Sequence, residues 1–217
     1  MELHDIISNI KRHQEEIIKI LSDKNWQHFK LYFFIKEKFS LSDLDEKFKA
    51  GVCNFYIMNG ARGFNTSQKE EFFKLLLAKE SSLENILKSL YEVPGYANRH
   101  KLFLSFGTKL LHTINESLPI YDRNIAYILQ LPRQISSTSF EKKIENRIQI
   151  YDELKKNIGL LLADSKVRDF INSFRHELNL KAALEKFSWQ DKLISDVKLL
   201  DSLLWALYQI VQKNINP

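Results

Sequence analysis

The 217 residues carry 32 lysines and arginines against 27 aspartates and glutamates, a formal charge of +5, with 44% hydrophobic and 27% charged residues. That is chain enough for one good core, ordinary in composition for a soluble globular protein, and mildly basic, as suits a polyanionic partner. Six glycines and four prolines supply too few turns for an all-β fold, a lone cysteine excludes an internal disulfide or a cysteine metal cluster, and no apolar run approaches the roughly 20 residues of a spanning helix.

In chain order, the spacing of Leu3, Ile6, Ile7, Ile10, Ile17, Ile18 and Leu21 predicts one amphipathic helix over 2–22. Its charged opening, MELHDIISNIKRHQEE, does not read as a signal peptide. A cytoplasmic location follows as the expectation (nucleoid-associated in a bacterium), and the Asn-x-Ser triplets at Asn65 and Asn115 then mean nothing as glycosylation sites. Trp26 to Ile35 predict an aromatic second helix, and Ser40 a cap for a third reaching about Met58. Cys53, inside GVCNFYIM, reads as a buried structural thiol. NGARGF at 59–64 has no periodicity and reads as loop.

Thr66 and Ser82 are expected to cap the next two helices, and VPG at 93–95 to stop the second. The run that follows is read as pausing at Gly107 and resuming as TKLLHTI. After Asp122 comes a short helix, then the polar loop PRQISSTS. Helices are predicted at about 140–162, 166–178 and 195–213. No segment alternates with period two for more than four residues, and no low-complexity linker divides the chain. Residues 1–217 should form one all-α domain, whether single-lobed or bilobed.

Several site patterns are missing: a glycine-rich phosphate loop, His-Glu-x-x-His, paired cysteines, a glycine-flanked serine. None of the six histidines lies three or four positions from another, so neither a metal nor a small-molecule cofactor is expected. What remains is FLSFGTKLLHTINESLPIYDRN, residues 103–124 of which carry Lys109 after a glycine and Asp122, thirteen positions on, before a helix-like run.

This stretch resembles the helix-hairpin-helix base-excision DNA glycosylases related to endonuclease III and 8-oxoguanine DNA glycosylase, and looks closer to a compact bacterial 8-oxoguanine-glycosylase-like subgroup. Gly107, Thr108 and Lys109 match the second half of the family's hairpin, and Pro119, Ile120, Tyr121 and Asp122 its proline-hydrophobe-aspartate element. Leu104-Ser105 stands where the family has Pro-Gly, and the lysine–aspartate interval is several residues short. The resemblance implies a degenerate helix-hairpin-helix at about 97–114 and an aspartate-bearing helix start at 119–130. It also implies double-stranded DNA with a flipped base as partner, and excision of a damaged or modified base, an 8-oxoguanine-type base first. Protein partners are left open.

The implied chemistry is coherent. Base removal passes through an oxocarbenium-like sugar that a fixed anion stabilises, and a carboxylate at a helix N-terminus, Asp122, is such an anion. Lys109 would attack C1′ and form a Schiff base if burial lowers its pKa, adding lyase to hydrolase activity. Gly107 and Thr108 would bring backbone amides to a phosphate, with Arg99, Lys101 and Arg123 adding charge; no acidic residue lies between Val93 and Asn115. His112 and Tyr121 are candidate pocket residues.

Plainer readings stand beside each of these. Asp122 is an N-cap in either case, Lys109 alone reads as a solvated helix lysine, and His112 as a hydrogen-bonded structural histidine. The stripe from Trp26 to Phe34 reads as core, Arg62 as a turn residue, and EKKIENR at 141–147 as a solvated face. The alternative function is a catalytically inactive helical module that binds DNA or protein on the same scaffold.

Overall fold

A computed structural model describes residues 2–59, 64–136, 138–187 and 194–215. Among them there is no strand, and eleven α-helices carry the chain: α1 Leu3–Arg12, α2 Gln14–Lys19, α3 Trp26–Ser40, α4 Glu46–Phe55, α5 Thr66–Leu77, α6 Leu83–Glu92, α7 Leu104–Ile114, α8 Arg123–Ile128, α9 Phe140–Ala163, α10 Ser165–Leu184 and α11 Asp196–Ile215. The buried side chains form one continuous cluster from Ile6 to Ile210. No helix among the described residues is long and apolar enough to cross a membrane.

The expected all-α class is what the chain adopts; several boundaries differ for local reasons. The opening helix breaks at His13 (φ −107°, ψ 18°) and ends in a wide π turn at Ile20–Lys24. Ser40 is the last residue of α3, its Oγ donating to the Glu37 carbonyl, and Asp45 caps α4 by accepting from Phe48 N–H. Asn65, not Thr66, caps α5 in a capping box with Gln68. Ser82 and Asp122 cap α6 and α8 as expected, and Ser139, the last residue of PRQISSTS, caps α9. Part of NGARGF, including Arg62, lies outside the described residues.

The largest correction concerns Gly107. There is no break there: α7 runs unbroken through it, and the connection between α6 and α7 is the longer stretch 93–103, with Ala97 and Asn98 in the left-handed region. Gly107 lets α6 pack close, since a Cβ would meet Leu83 Cδ1 at 3.1 Å and Leu87 Cδ2 at 3.3 Å. The hairpin expected at 97–114 therefore has no turn at Gly107: the connection between the α-helices is 93–103, and Leu104-Ser105 opens a helix rather than a turn. EKKIENR is not wholly solvated either. Arg147 is buried, with Nη1 donating to the Ile135 carbonyl (2.8 Å) and Asn146 Oδ1 (2.7 Å), which pins the 133–135 loop.

If Gly107 serves helix packing, Gly107→Val forces α6 and α7 apart and destabilises the fold by about 1–3 kcal/mol, read as a lower urea midpoint. A glycine needed only for a surface phosphate contact would leave that midpoint unchanged.

Candidate functional site

Five helices, α3, α4 (through its last residue, Phe55), α7, α8 and α11, converge on a cavity of about 290 Å³, at the lower edge of the roughly 300–1,000 Å³ usual for small-molecule sites. Its wall takes His28 and Phe29 from α3, Lys109 from α7, Ile125 from α8, and Lys198, Asp201, Ser202 and Trp205 from α11. The stretch after α4 adds Tyr56 and Ile57, and the residue capping α8 adds Asp122. Lys109 and Asp122 thus face one hollow.

The amine is held, not loose. Lys109 Nζ donates to the Tyr56 carbonyl at 3.1 Å and lies 4.8 Å from the Phe106 ring centroid. Burial lowers its pKa to about 8, against the raising effect of Asp122 and Asp201. Asp122 does what a cap does, Oδ1 accepting from Asn124 N–H at 2.7 Å, and is only partly covered. A second charge pair sits opposite: Lys198 and Asp201 are both buried and joined by a hydrogen bond. Burial raises the Asp201 pKa and Lys198 opposes that rise. Two ammonium groups and two carboxylates therefore share one cavity. Aromatic rings frame them: His28 stacks on Phe55 at 4.1 Å, Lys198 Nζ lies 5.5 Å from the Phe55 centroid, and Trp205 closes part of the wall. The His28 pKa is lowered, first by desolvation and then by Lys198 and Lys109.

At the rim, Ile57 is 76% exposed and holds φ 52°. It occupies the left-handed position that ends α4, with Ile57 N–H bonded to Asn54 O and Met58 N–H to Cys53 O. Glycine normally stands there; a β-branched residue in that region is strained by about 1–2 kcal/mol.

Beside the cavity runs an open groove of about 1,100 Å³, which shares Asp122 with it and carries Lys101, Arg123 and Arg133. Leu104, Ser105 and Phe106, the first turn of α7, line it, and that helix start has no side-chain cap. Asp122 is the single carboxylate of its lining.

Of the residues singled out in the sequence, Lys109 and Asp122 meet in the cavity, and Lys101 and Arg123 meet in the groove. Arg99 is exposed but outside the groove lining. Gly107 and Thr108 are buried and cannot present themselves to a phosphate. Tyr121 lines the groove rather than the cavity, and His112 is fully buried behind both. Cys53 is buried and free, with its pKa raised by burial. Sequence reasoning missed Lys198, Asp201 and Trp205, although their signal was present: with Ser202 they repeat at 198, 201, 202 and 205, a polar stripe beside the apolar one. Among the described residues no cluster of histidine, cysteine or acid residues is arranged to hold a metal ion.

No protein-family model, curated protein or solved structure matches the chain.

Because Asp122 raises the Lys109 pKa and burial lowers it, Asp122→Asn should move the Lys109 titration downward from about 8. The ε-carbon resonance of Lys109, followed by NMR against pH in both proteins, reads this directly. An unchanged midpoint would mean that the two groups do not feel each other.

Proposed function

We propose that the protein is a DNA glycosylase acting on a nucleotide flipped out of the duplex. One observation carries the reading: a partly desolvated amine and a fixed carboxylate line the same cavity, and that cavity opens beside a cationic groove. A module that only binds DNA needs cations on its surface but has no use for an amine held near neutrality, so the geometry favours catalysis over the inactive scaffold.

In this mechanism the flanking backbone lies along the groove. Lys101, Arg123 and Arg133 meet its phosphates, and the uncapped start of α7 supplies amide donors where the glycine was expected to. The extruded base enters among Phe29, His28 and Trp205. As the bond from C1′ to the base nitrogen lengthens, Asp122 stabilises the positive charge developing on the sugar. Lys109 in its neutral form attacks C1′ as the bond to the base nitrogen breaks; the base leaves with that bond's electron pair and takes up the proton that the alkylated amine sheds. The covalent amine opens to a Schiff base, which permits strand cleavage by elimination at the abasic sugar. Asp201, held by Lys198, faces the base as a hydrogen-bond acceptor. That suits a base with N–H donors on its edge, as the 8-oxoguanine-type expectation requires.

The decisive assay incubates the protein with duplexes carrying 8-oxoguanine, uracil or hydroxymethylated bases, with borohydride present. Base release and a trapped covalent adduct are expected, the adduct forming faster as pH rises through about 8, where Lys109 loses its proton. Lys109→Gln should abolish trapping while keeping duplex affinity. Asp122→Asn should slow release by about 100-fold or more, as loss of a transition-state charge partner does. No release and no adduct with any of these duplexes would overturn the reading.

Flipping leaves a gap in the base stack, and an apolar wedge at the cavity mouth fills such gaps. Exposed, strained Ile57 stands at that mouth. Ile57→Gly relieves left-handed strain, so stability should hold or rise by up to about 1 kcal/mol. Release from duplex should fall several-fold, and release from a single strand should not. Equal loss on both substrates would remove Ile57 from that role.

A further inference from the structure

The chain between α7 and α8 belongs to no helix, yet it must deliver Asp122 to within reach of Lys109 after only thirteen positions. Two side chains of α7 hold it. Thr108 Oγ1 accepts from Tyr121 N–H at 2.9 Å while donating to its own helix at Ser105 O (3.1 Å). One turn on, His112 Nδ1 bonds the Leu118 carbonyl at 2.7 Å. A carbonyl only accepts, so Nδ1 carries the proton. Nε2 is then the acceptor, and Tyr32 OH on α3 donates to it at 2.8 Å.

Both α7 side chains are buried, as are Pro119, Ile120 and Tyr121 between the two anchor points. Burial and the nearby Lys198 drive the His112 pKa down to about 3, so the ring stays neutral and its tautomer fixed. Thr108 and His112 bracket Lys109 on the same helix, and the backbone they grip ends at Asp122. The run Thr108-Lys109-Leu110-Leu111-His112 sets the two residues on either side of the lysine, and neither of them lines the cavity.

We infer that Tyr32, His112 and Thr108 form a positioning relay that fixes the separation of Lys109 and Asp122. Its catalytic consequence rests on the glycosylase reading; its geometric consequence does not. His112 and Thr108 are positioning residues, acting through the 115–122 segment they hold, the strap between α7 and α8.

Two measurements separate these consequences. The first is the Lys109 titration by NMR. If the strap keeps Asp122 beside Lys109, His112→Leu and Thr108→Val should lower the Lys109 midpoint as far as Asp122→Asn does. Adding Asp122→Asn to either should lower it no further. His112→Asn, whose amide can still donate to the Leu118 carbonyl, should restore the parental midpoint. The second is single-turnover base release, where His112→Leu and Thr108→Val should lose about 30- to 100-fold, as expected for a reacting group displaced by about 1 Å. KM and duplex affinity should stay within about threefold, and His112→Asn should recover most of the rate. Trapping on a preformed abasic aldehyde needs the amine but not the carboxylate, so it should be spared. A parental Lys109 midpoint in both His112→Leu and Thr108→Val overturns the relay whatever the activity. So does a His112→Asn variant no better than His112→Leu. A protein that releases no base, yet shows the titration shifts, keeps the relay and loses the glycosylase.

Discussion

An amine removed from water must either find a counter-charge or lose its proton, and the cavity is organised around that constraint. Lys198 takes the first course, buried against Asp201. Lys109 is left between the two: a carbonyl accepts from it, the Phe106 and Tyr56 rings lie within 5.6 Å of it, and two carboxylates share the hollow without either forming an ion pair with it. The result is a side chain whose pKa is lowered to about 8, so that a minor share of it is unprotonated near neutrality, the form in which a lysine is useful as a nucleophile. Had Asp201 no partner, it would compete for Lys109 and hold it charged.

Helix α7 turns this constraint into geometry. Its residue 107 meets α6, 108 and 112 meet the strap, 109 enters the cavity, and 113 receives the Tyr56 hydroxyl at 3.0 Å while donating to the Lys109 carbonyl at 2.8 Å. These contacts leave from three faces of the same eleven residues (107, then 108 with 112, then 109 with 113), which is why the helix has almost no exposed surface. A break at Gly107 would have parted Lys109 and the residues that place it from the packing of α7 on α6. The continuous helix couples them.

This arrangement explains what was and was not legible in the sequence. Helix identity was readable because apolar spacing and caps are local: Ser82, Asp122 and Ser139 start helices as their side chains allow. Competing caps were not, since Ser40 and Thr66 are chemically as able as Asp45 and Asn65, and packing chose between them. Gly107 misled because a glycine signals either a turn or a close helix approach, and only the position of α6 distinguishes them. The pairing of Lys109 with Asp122 came from motif spacing. The opposite wall did not, because Asp201 lies about eighty positions away and becomes relevant only once α11 packs on α8. Thr108 was assigned to phosphate by analogy, but burial gives it the Tyr121 amide.

Stability and site are in tension at identifiable places. A buried lysine–aspartate pair is seldom better for stability than apolar residues of the same size, and a left-handed, exposed isoleucine is worse than the glycine that position prefers. Neither is explained by the core, which is already continuous without them. Both lie on the cavity, Lys198 and Asp201 at its back and Ile57 at its lip. Features that a folding requirement alone would have removed cluster around one hollow, and that clustering is independent of any motif in the 103–124 stretch. It points to the same place by a different route: Lys109 and Asp122 stand out by their spacing, and the cavity that contains them stands out by its strained and buried charged residues.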